Sequence, residues 1–337
     1  MPSTSSPQSI VLGSRVQHIA ELRAAGLGRS DIEALLKDGS IARVRRGWYR
    51  AQDAHPDIVA AVRVGGALTA TSAAALYGLW VPPDDRLHVS VPQNASRLRR
   101  PDPGASRAPL RPVCIHWSRS RASPSRSIES VPVILQQSLE CLPDEMAIVL
   151  IDSALHLKVD GVTLASLGRL FEGLPARYRS ALSRADPESE SGIETLVRLR
   201  LRSLGISVRT QVRHRGVGRV DLLVGDRLVI EVDGREHHDS REAFASDRER
   251  DLVLFRDGFD RLRLTYAHVM YRWPEIEGVI VEAVRRRRHR WRMSDRPVPA
   301  PSSAVPPSAT QASATPSTAQ FRKKSAQFRN SEKGATP

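Results

Sequence analysis

Cysteine is almost absent from this 337-residue chain: Cys114 and Cys141 are the only two. They stand in no CxxC pattern and no Cys/His cluster along the sequence, which argues against a disulfide framework or a structural zinc site and fits a reducing cytosol. Aromatic residues are sparse at 5%, yet 40% of the sequence is hydrophobic, enough to build buried cores rather than wholesale disorder. Uncharged apolar stretches stay far below the roughly 20 residues that span a bilayer; the best candidate, Met146 to Ile151, is a short core segment. The first ten residues, MPSTSSPQSI, lack a basic region followed by an apolar run, which predicts no secretory signal and a cytoplasmic protein. Lysine is scarce as well, with five against 46 arginines.

The net charge of +14 points to a polyanionic partner, because clustered cations bind phosphates and release counterions. An arginine-rich codon supply would raise the count too, so location matters more than number. Residues 285–337 hold twelve cations and two acids, a balance of +10 that leaves +4 for everything before them.

Composition and periodicity divide the chain into a loose leader (1–13), a helix–turn–helix with a wing (14–52), a mostly helical middle region (53–185), an α/β domain (186–292) and a disordered Pro/Ser-rich basic tail (293–337). The fold class expected is multi-domain α/β. A helical pattern runs from Gln17 to Ala25 and breaks at Gly26-Leu27-Gly28. Ser30 is a plausible N-cap for a second helix carrying Ile32, Leu35 and Leu36. Ile41 to Arg50 alternates and reads as a strand pair, so Asp31 to Lys37 is the candidate recognition helix, and Arg43, Arg45 and Arg46 would reach phosphate from the wing. The acids Asp31, Glu33 and Asp38 leave a second use open, a winged helix that contacts protein. Helices are expected at 58–64 and 71–79, a strand at 87–91, a Pro/Arg-rich connector at 97–126 with eight arginines against one aspartate, and helices again across 131–182.

The α/β domain carries the chemistry. Its expected order is a helix from Ser191 to Ser203, strands at 208–212, 217–224 and 228–233, a helix at 242–256, a strand around Leu262 and Leu264, and a final helix opened by Pro274. Asp221 sits inside Arg219-Val220-Asp221-Leu222-Leu223-Val224, and Glu231 and Asp233 sit inside Leu228-Val229-Ile230-Glu231-Val232-Asp233. Acids are depleted in strands and like charges repel there, so such a cluster needs a counter-charge. A divalent cation, Mg²⁺ or Mn²⁺, would provide it and activate a water for hydrolysis. Ser191-x-x-Glu194 reads equally as a capping box, with Arg198 one turn on as a salt-bridge partner. Asp247, Arg248, Arg250 and Asp251 form either a solvated ion-pair face or part of a DNA-contacting site. The run Arg285 to Arg292, including Arg286 and Arg288, exceeds what a helix C-terminus needs and reads as DNA-binding.

Asp221, the Glu231-x-Asp233-Gly234 sequence, His237-His238 and Asp247-x-x-Arg250-Asp251 resemble a domain of unknown function akin to the very-short-patch-repair endonucleases, in the PD-(D/E)xK nuclease superfamily. That resemblance covers 191–288 and implies a restriction-endonuclease-like fold with a mixed sheet. It makes Asp221 and Glu231 the metal pair, adds Glu194 from the preceding helix, and offers His238 as proton acceptor. Asp233 stands where the superfamily usually has a lysine. Residues 17–50, and more weakly the chain to about 182, resemble the winged-helix region of AbiEi-like type IV antitoxins, which implies DNA as a partner and a cognate toxin or defence protein as another. Two functions stay open: a metal-dependent DNA endonuclease, and a non-enzymatic DNA-binding regulator with an inactive nuclease fold.

One geometric requirement follows. Residues directly opposite in an antiparallel pair share a face, and a slip of one residue reverses it. A two-residue loop at Gly225-Asp226 would place Asp221 opposite Ile230, whereas a three-residue loop, Gly225-Asp226-Arg227, places it opposite Glu231. The nuclease expectation requires the longer loop. Separately, limited proteolysis is expected to remove residues 296–337 without loss of fold; a tail left intact under conditions that nick ordinary loops would contradict that expectation.

Overall fold

The computed structural model describes residues 15–102, 111–118, 126–214, 217–233 and 241–292, of which 241–247 by their backbone alone. Within them the chain is a multi-domain α/β protein containing three sheets. No helix among the described residues is long and apolar enough to cross a membrane. The tail from 293 and the pair His237-His238 lie outside the described residues.

Val16–His18 (β1) pairs antiparallel with Trp48–Ala51 (β3), which pairs in turn with Ile41–Arg45 (β2). Two short helices, Ile19–Ala24 (α1) and Arg29–Lys37 (α2), lie between β1 and β2. This is the expected helix–turn–helix and wing, with two corrections. Residues 16–18 form a strand rather than the start of a helix, because β3 offers their backbone a non-local partner. Helix α2 begins at Arg29, before the suggested cap Ser30, because the Asp31 carboxylate reaches back to accept from the Gly28 amide at 2.7 Å.

The middle region contains Pro56–Val64 (α3), Ala67–Leu68 (β4), Ala70–Ala74 (α4), Leu87–Pro92 (β5), Val113–Ser118 (β6) and four helices: Val131–Cys141 (α5), Asp144–His156 (α6), Leu164–Leu170 (α7) and Ala176–Arg184 (α8). Strand β6 lies inside the stretch expected to be a connector. It pairs in parallel with β5, His88 beside Cys114 and Ser90 beside His116. Prolines and arginines on both flanks hid a six-residue strand whose partner is more than twenty residues away.

The last region runs Gly192–Ser203 (α9), Val208–His214 (β7), Gly218–Val224 (β8), Leu228–Asp233 (β9), Arg241–Arg256 (α10), Asp260–Thr265 (β10), Tyr266–Tyr271 (α11) and Trp273–Arg285 (α12). The sheet order is β10-β9-β8-β7, with β10 parallel to β9 and the other pairs antiparallel. Leu196, Val197 and Leu201 of α9 pack with Leu222, Val224, Leu228 and Ile230 in one core. Val253 and Leu254 of α10 pack with Val220, Leu223 and Val229 in another.

Helix α9 is fixed to the middle region by a buried polar network. Arg198 is fully buried, and its guanidinium donates to Asp152 Oδ2 of α6 at 2.6 Å and to the Arg184 carbonyl at 2.7 Å. Asp152 also accepts from the Thr195 hydroxyl and from the Asp186 amide, both at 2.8 Å. Arg198 therefore bonds Asp152 and not Glu194, the one-turn partner suggested by the sequence. Beside it Gly192, in the first turn of α9, lies so close to the Trp80 indole that any Cβ would overlap the ring. Removing one partner of a buried ion pair strands the other charge, so Arg198→Ala is expected to cost about 3–5 kcal/mol by urea unfolding, while the joint change Arg198→Met with Asp152→Leu should recover most of that loss. A double variant no more stable than the single one would show that packing, not charge, sets the cost.

Candidate functional site

The hairpin between β8 and β9 has the longer loop. Val224 pairs with Leu228, Leu223 with Val229 and Leu222 with Ile230, leaving Gly225, Asp226 and Arg227 as the connection. Counting one step further puts Asp221 opposite Glu231. There the ladder opens, because the Asp221 carboxylate itself takes the Val232 amide at 2.9 Å. The same count across the whole sheet gives one row: Gln211 on β7, Asp221 on β8, Glu231 on β9 and Arg263 on β10, the last two being register partners. Gln211 adopts a left-handed φ of 49°, a strain that side chains other than glycine seldom accept and that clusters at functional sites.

Glu194 reaches this row from α9. Its carboxylate accepts from Ser191 Oγ at 2.7 Å, from the Glu190 amide at 3.2 Å and from Gln211 Nε2 at 3.0 Å, so the contacts at the start of α9 and the contact to the row are made by one side chain. Burial pushes the Glu194 carboxyl up to about 7, and the Asp221 charge adds to the rise. Asp221 is raised as well, first by burial and further by Glu231 and Glu190, against the pull of the Val232 amide and Arg250. Three acids from three elements are thus coupled electrostatically.

Glu231 is buried with 6% exposure and carries arginine on both oxygens. Arg250 of α10 donates to Oε1 at 3.2 Å, Arg261 donates to Oε2, and Arg263 lies 3.5 Å from Oε2. Arg263 also faces Asp233 at 3.7 Å. The counter-charge expected from a cation is supplied here by side chains. Among the described residues, the group that gathers three or more potential metal-ligand atoms within 4.8 Å is not this acidic row but His88, Cys114, His116 and Cys141. The expectation of no Cys/His cluster is corrected accordingly: the ligand types are scattered in sequence and adjacent in space.

The cations chosen for DNA contact fall into two sets. Arg43 and Arg46 are exposed on the wing, Arg248 on α10, and Arg286 and Arg288 beyond or at the end of α12. Arg286 meets Glu282 and Arg288 meets Asp260, both without losing their exposure. Arg45 is instead half-buried, with its guanidinium on the Val62 carbonyl at 3.4 Å, and Arg250 is spent on Glu231 and on the Arg219 carbonyl at 2.7 Å. Residues missed by sequence reading are Gln211, Arg261 and Arg263. The alternation Arg261-Leu262-Arg263-Leu264 was a usable signal, since it puts two cations on one strand face.

No family model matches the chain, and no curated protein matches it. Among solved structures, the crystal structure of the RV2827C protein from Mycobacterium tuberculosis is similar at 18% identity with a TM-score of 0.26, covering 57% of this chain and 79% of that one. A likeness this distant carries no argument about fold or function.

The Glu194 shift has a signed consequence. Its carboxyl titrates at about 7 when folded and near the ordinary 4.5 when unfolded, so the folded state binds more protons between those values. Stability from this group is complete below pH 4.5 and is lost as pH rises through about 7, a loss on the order of 3 kcal/mol. Glu194→Gln should lack that loss and therefore gain on the native protein between pH 5 and pH 8 in urea titrations. Equal pH dependence in the two proteins would show that Glu194 is not the titrating group.

Proposed function

We propose that the chain is a DNA endonuclease that hydrolyses phosphodiester bonds with a divalent cation, Mg²⁺ or Mn²⁺, in a defence or toxin–antitoxin setting. The observation that supports it most is the coupling of Glu194, Asp221 and Glu231 at a place where the β8–β9 ladder opens and Gln211 is strained. Three buried or half-buried acids held together, with burial raising Glu194 and Asp221, make poor structural residues and good ligands for a hard cation. Asp221 and Glu231, with Asp233 beside them, would hold the ion; once bound, it supplies an activated water and neutralises phosphate charge.

The arginines bear on how this chain would work. Arg250 and Arg261 occupy Glu231 in place of the cation, so cation entry requires that they turn toward another anion, and a DNA phosphate is the anion at hand. Arg263, between Glu231 and Asp233, offers the positive charge that Asp233 cannot offer at the superfamily's lysine position. It cannot act as a base, because a guanidinium keeps its proton throughout the working pH range. The exposed Arg43 and Arg46, with Arg285 to Arg288, would hold the duplex through its phosphates.

The double capture of Glu231 favours a second reading as well, a DNA-binding regulator in which arginine has replaced the metal for good. Plasmid cleavage separates the two. The nuclease reading expects Mg²⁺- or Mn²⁺-dependent nicking that falls at least about 100-fold in Glu231→Ala while duplex binding persists. Duplex binding without cleavage under either cation would leave the regulator.

A further inference from the structure

We propose that His88, Cys114, His116 and Cys141 form a structural zinc site in the middle region. The proposal is independent of the nuclease reading, since it concerns a different sheet and a different class of metal ion. The four residues come from three elements. His88 on β5 is the parallel register partner of Cys114 on β6, His116 lies two residues beyond Cys114 on the same strand face, and Cys141 is the last residue of α5. One ligand atom from each lies within 4.8 Å of the other three. His88 Nδ1 and His116 Nε2 are 3.0 Å apart, and Cys141 Sγ is 3.7 Å from His88 Nδ1. A tetrahedral zinc with bonds of about 2.05 Å to nitrogen and 2.3 Å to sulfur needs roughly 3.3 Å between nitrogens and roughly 3.8 Å between sulfurs. The cluster is already close to that size.

The surroundings of the histidines add a second, independent observation. His88 is fully buried, and its outer nitrogen, Nε2, meets Asp84 Oδ2 at 2.8 Å. Asp84 is fixed in turn by Arg86 at 2.9 Å through two nitrogens. His116, 3% exposed, turns its outer nitrogen Nδ1 to Glu140 Oε2 at 3.5 Å. Carboxylates behind metal-bound imidazoles fix the tautomer and aim the ring. With the outer N–H of His88 on Asp84, a neutral His88 ring turns the lone pair of Nδ1 toward His116 Nε2 at 3.0 Å, a close nitrogen pair that either shares a proton or holds a cation. A shared proton would answer for the nitrogens, but it gives no reason for both thiols of the chain to meet at the same point.

Cys₂His₂ is a soft-to-borderline donor set that suits Zn²⁺ and is foreign to Mg²⁺ or Ca²⁺. Ligation would replace the two thiol protons, released to solvent, with two Zn–S bonds. It would tie the C-terminal end of α5 to the parallel β5–β6 pair.

The full chain, purified with reductant, incubated with equimolar Zn²⁺ and desalted, should retain about one zinc per chain with both thiols protected from a disulfide-exchange reagent. Cobalt in its place should give intense thiolate-to-metal charge-transfer absorption. Cys141→Ser should abolish both signals with its far-ultraviolet circular dichroism checked in parallel. Should that variant fail to fold, Asp84→Asn keeps all four ligands and should weaken zinc binding by about 10–100-fold in competition with a chromophoric chelator. Retention of less than about a tenth of an equivalent, a Cys114–Cys141 disulfide, a cobalt spectrum without thiolate absorption, or unchanged zinc affinity in Asp84→Asn would each overturn the assignment.

Discussion

The placement of the acidic row depends on one buried cation, the Arg198 guanidinium. A guanidinium cannot shed its proton, so burying it obliges the surroundings to supply anions and acceptors. Here they come from α6 through Asp152, from the end of α8 through the Arg184 carbonyl, and at 3.8 Å from Asp186. Burial pushes the Asp152 carboxyl up to about 6 even against Arg198 and its hydrogen bonds, yet the carboxyl stays ionised at neutral pH beside that charge. Such a pair contributes little net stability compared with apolar residues of the same size, but it tolerates few alternative geometries. Since Glu194 lies one turn before Arg198 on the same helix, fixing the guanidinium also fixes the rotation of α9, and with it the direction from which Glu194 meets Gln211.

Carboxylates are used in two different ways on the two sheets. In the last region they converge on one another, and the repulsion is relieved by Arg250, Arg261 and Arg263, which are the residues that would have to move for a hard cation to enter. In the middle region Asp84 and Glu140 stand one step back, each behind a histidine, where a carboxylate orients a ligand and does not itself ligate. The first arrangement has charge to exchange and is suited to a transient, phosphate-linked ion. The second has its partners already in place and is suited to a permanent one. The donor chemistry follows the same division, oxygen in the first case and nitrogen with sulfur in the second.

What could be read from the sequence was what is local. Hairpin loop length decides register by parity, so counting residues reduced the facing of Asp221 and Glu231 to a choice between two loop lengths, of which the nuclease expectation required the longer one found here. Ser191 capping α9 through the Glu194 amide and Pro274 opening α12 are equally local. The misreadings involve distant partners. Arg198 was matched to Glu194 four residues away, whereas its counter-ion lies 46 residues upstream. Strand β1 pairs with β3 about thirty residues on, against a local helical pattern. The Cys/His cluster was invisible for the same reason: its ligands sit at 88, 114, 116 and 141, with no spacing motif to connect them.

The register that brings Asp221 to Glu231 is secured from the far end of the described chain. Gly225 has φ of +63°, which favours glycine by itself, but the His289 carbonyl also lies so close that a Cβ would overlap it. That carbonyl accepts from the Asp226 and Arg227 amides at 3.0 and 3.2 Å, satisfying the two loop groups that a three-residue connection leaves exposed. Trp291 completes the clasp, donating its indole N–H to the Asp226 carbonyl at 2.9 Å and lying 5.2 Å from the Arg227 guanidinium carbon. The basic run from Arg285 therefore has two parts with different physical roles. Arg285 to Arg288 are exposed, two of them paired at the surface with Glu282 and Asp260, while His289 and Trp291 hold the hairpin at the loop length the acidic row requires. A shorter loop would lose both His289 hydrogen bonds and shift β9 by one residue, turning Glu231 away from Asp221 at the same time.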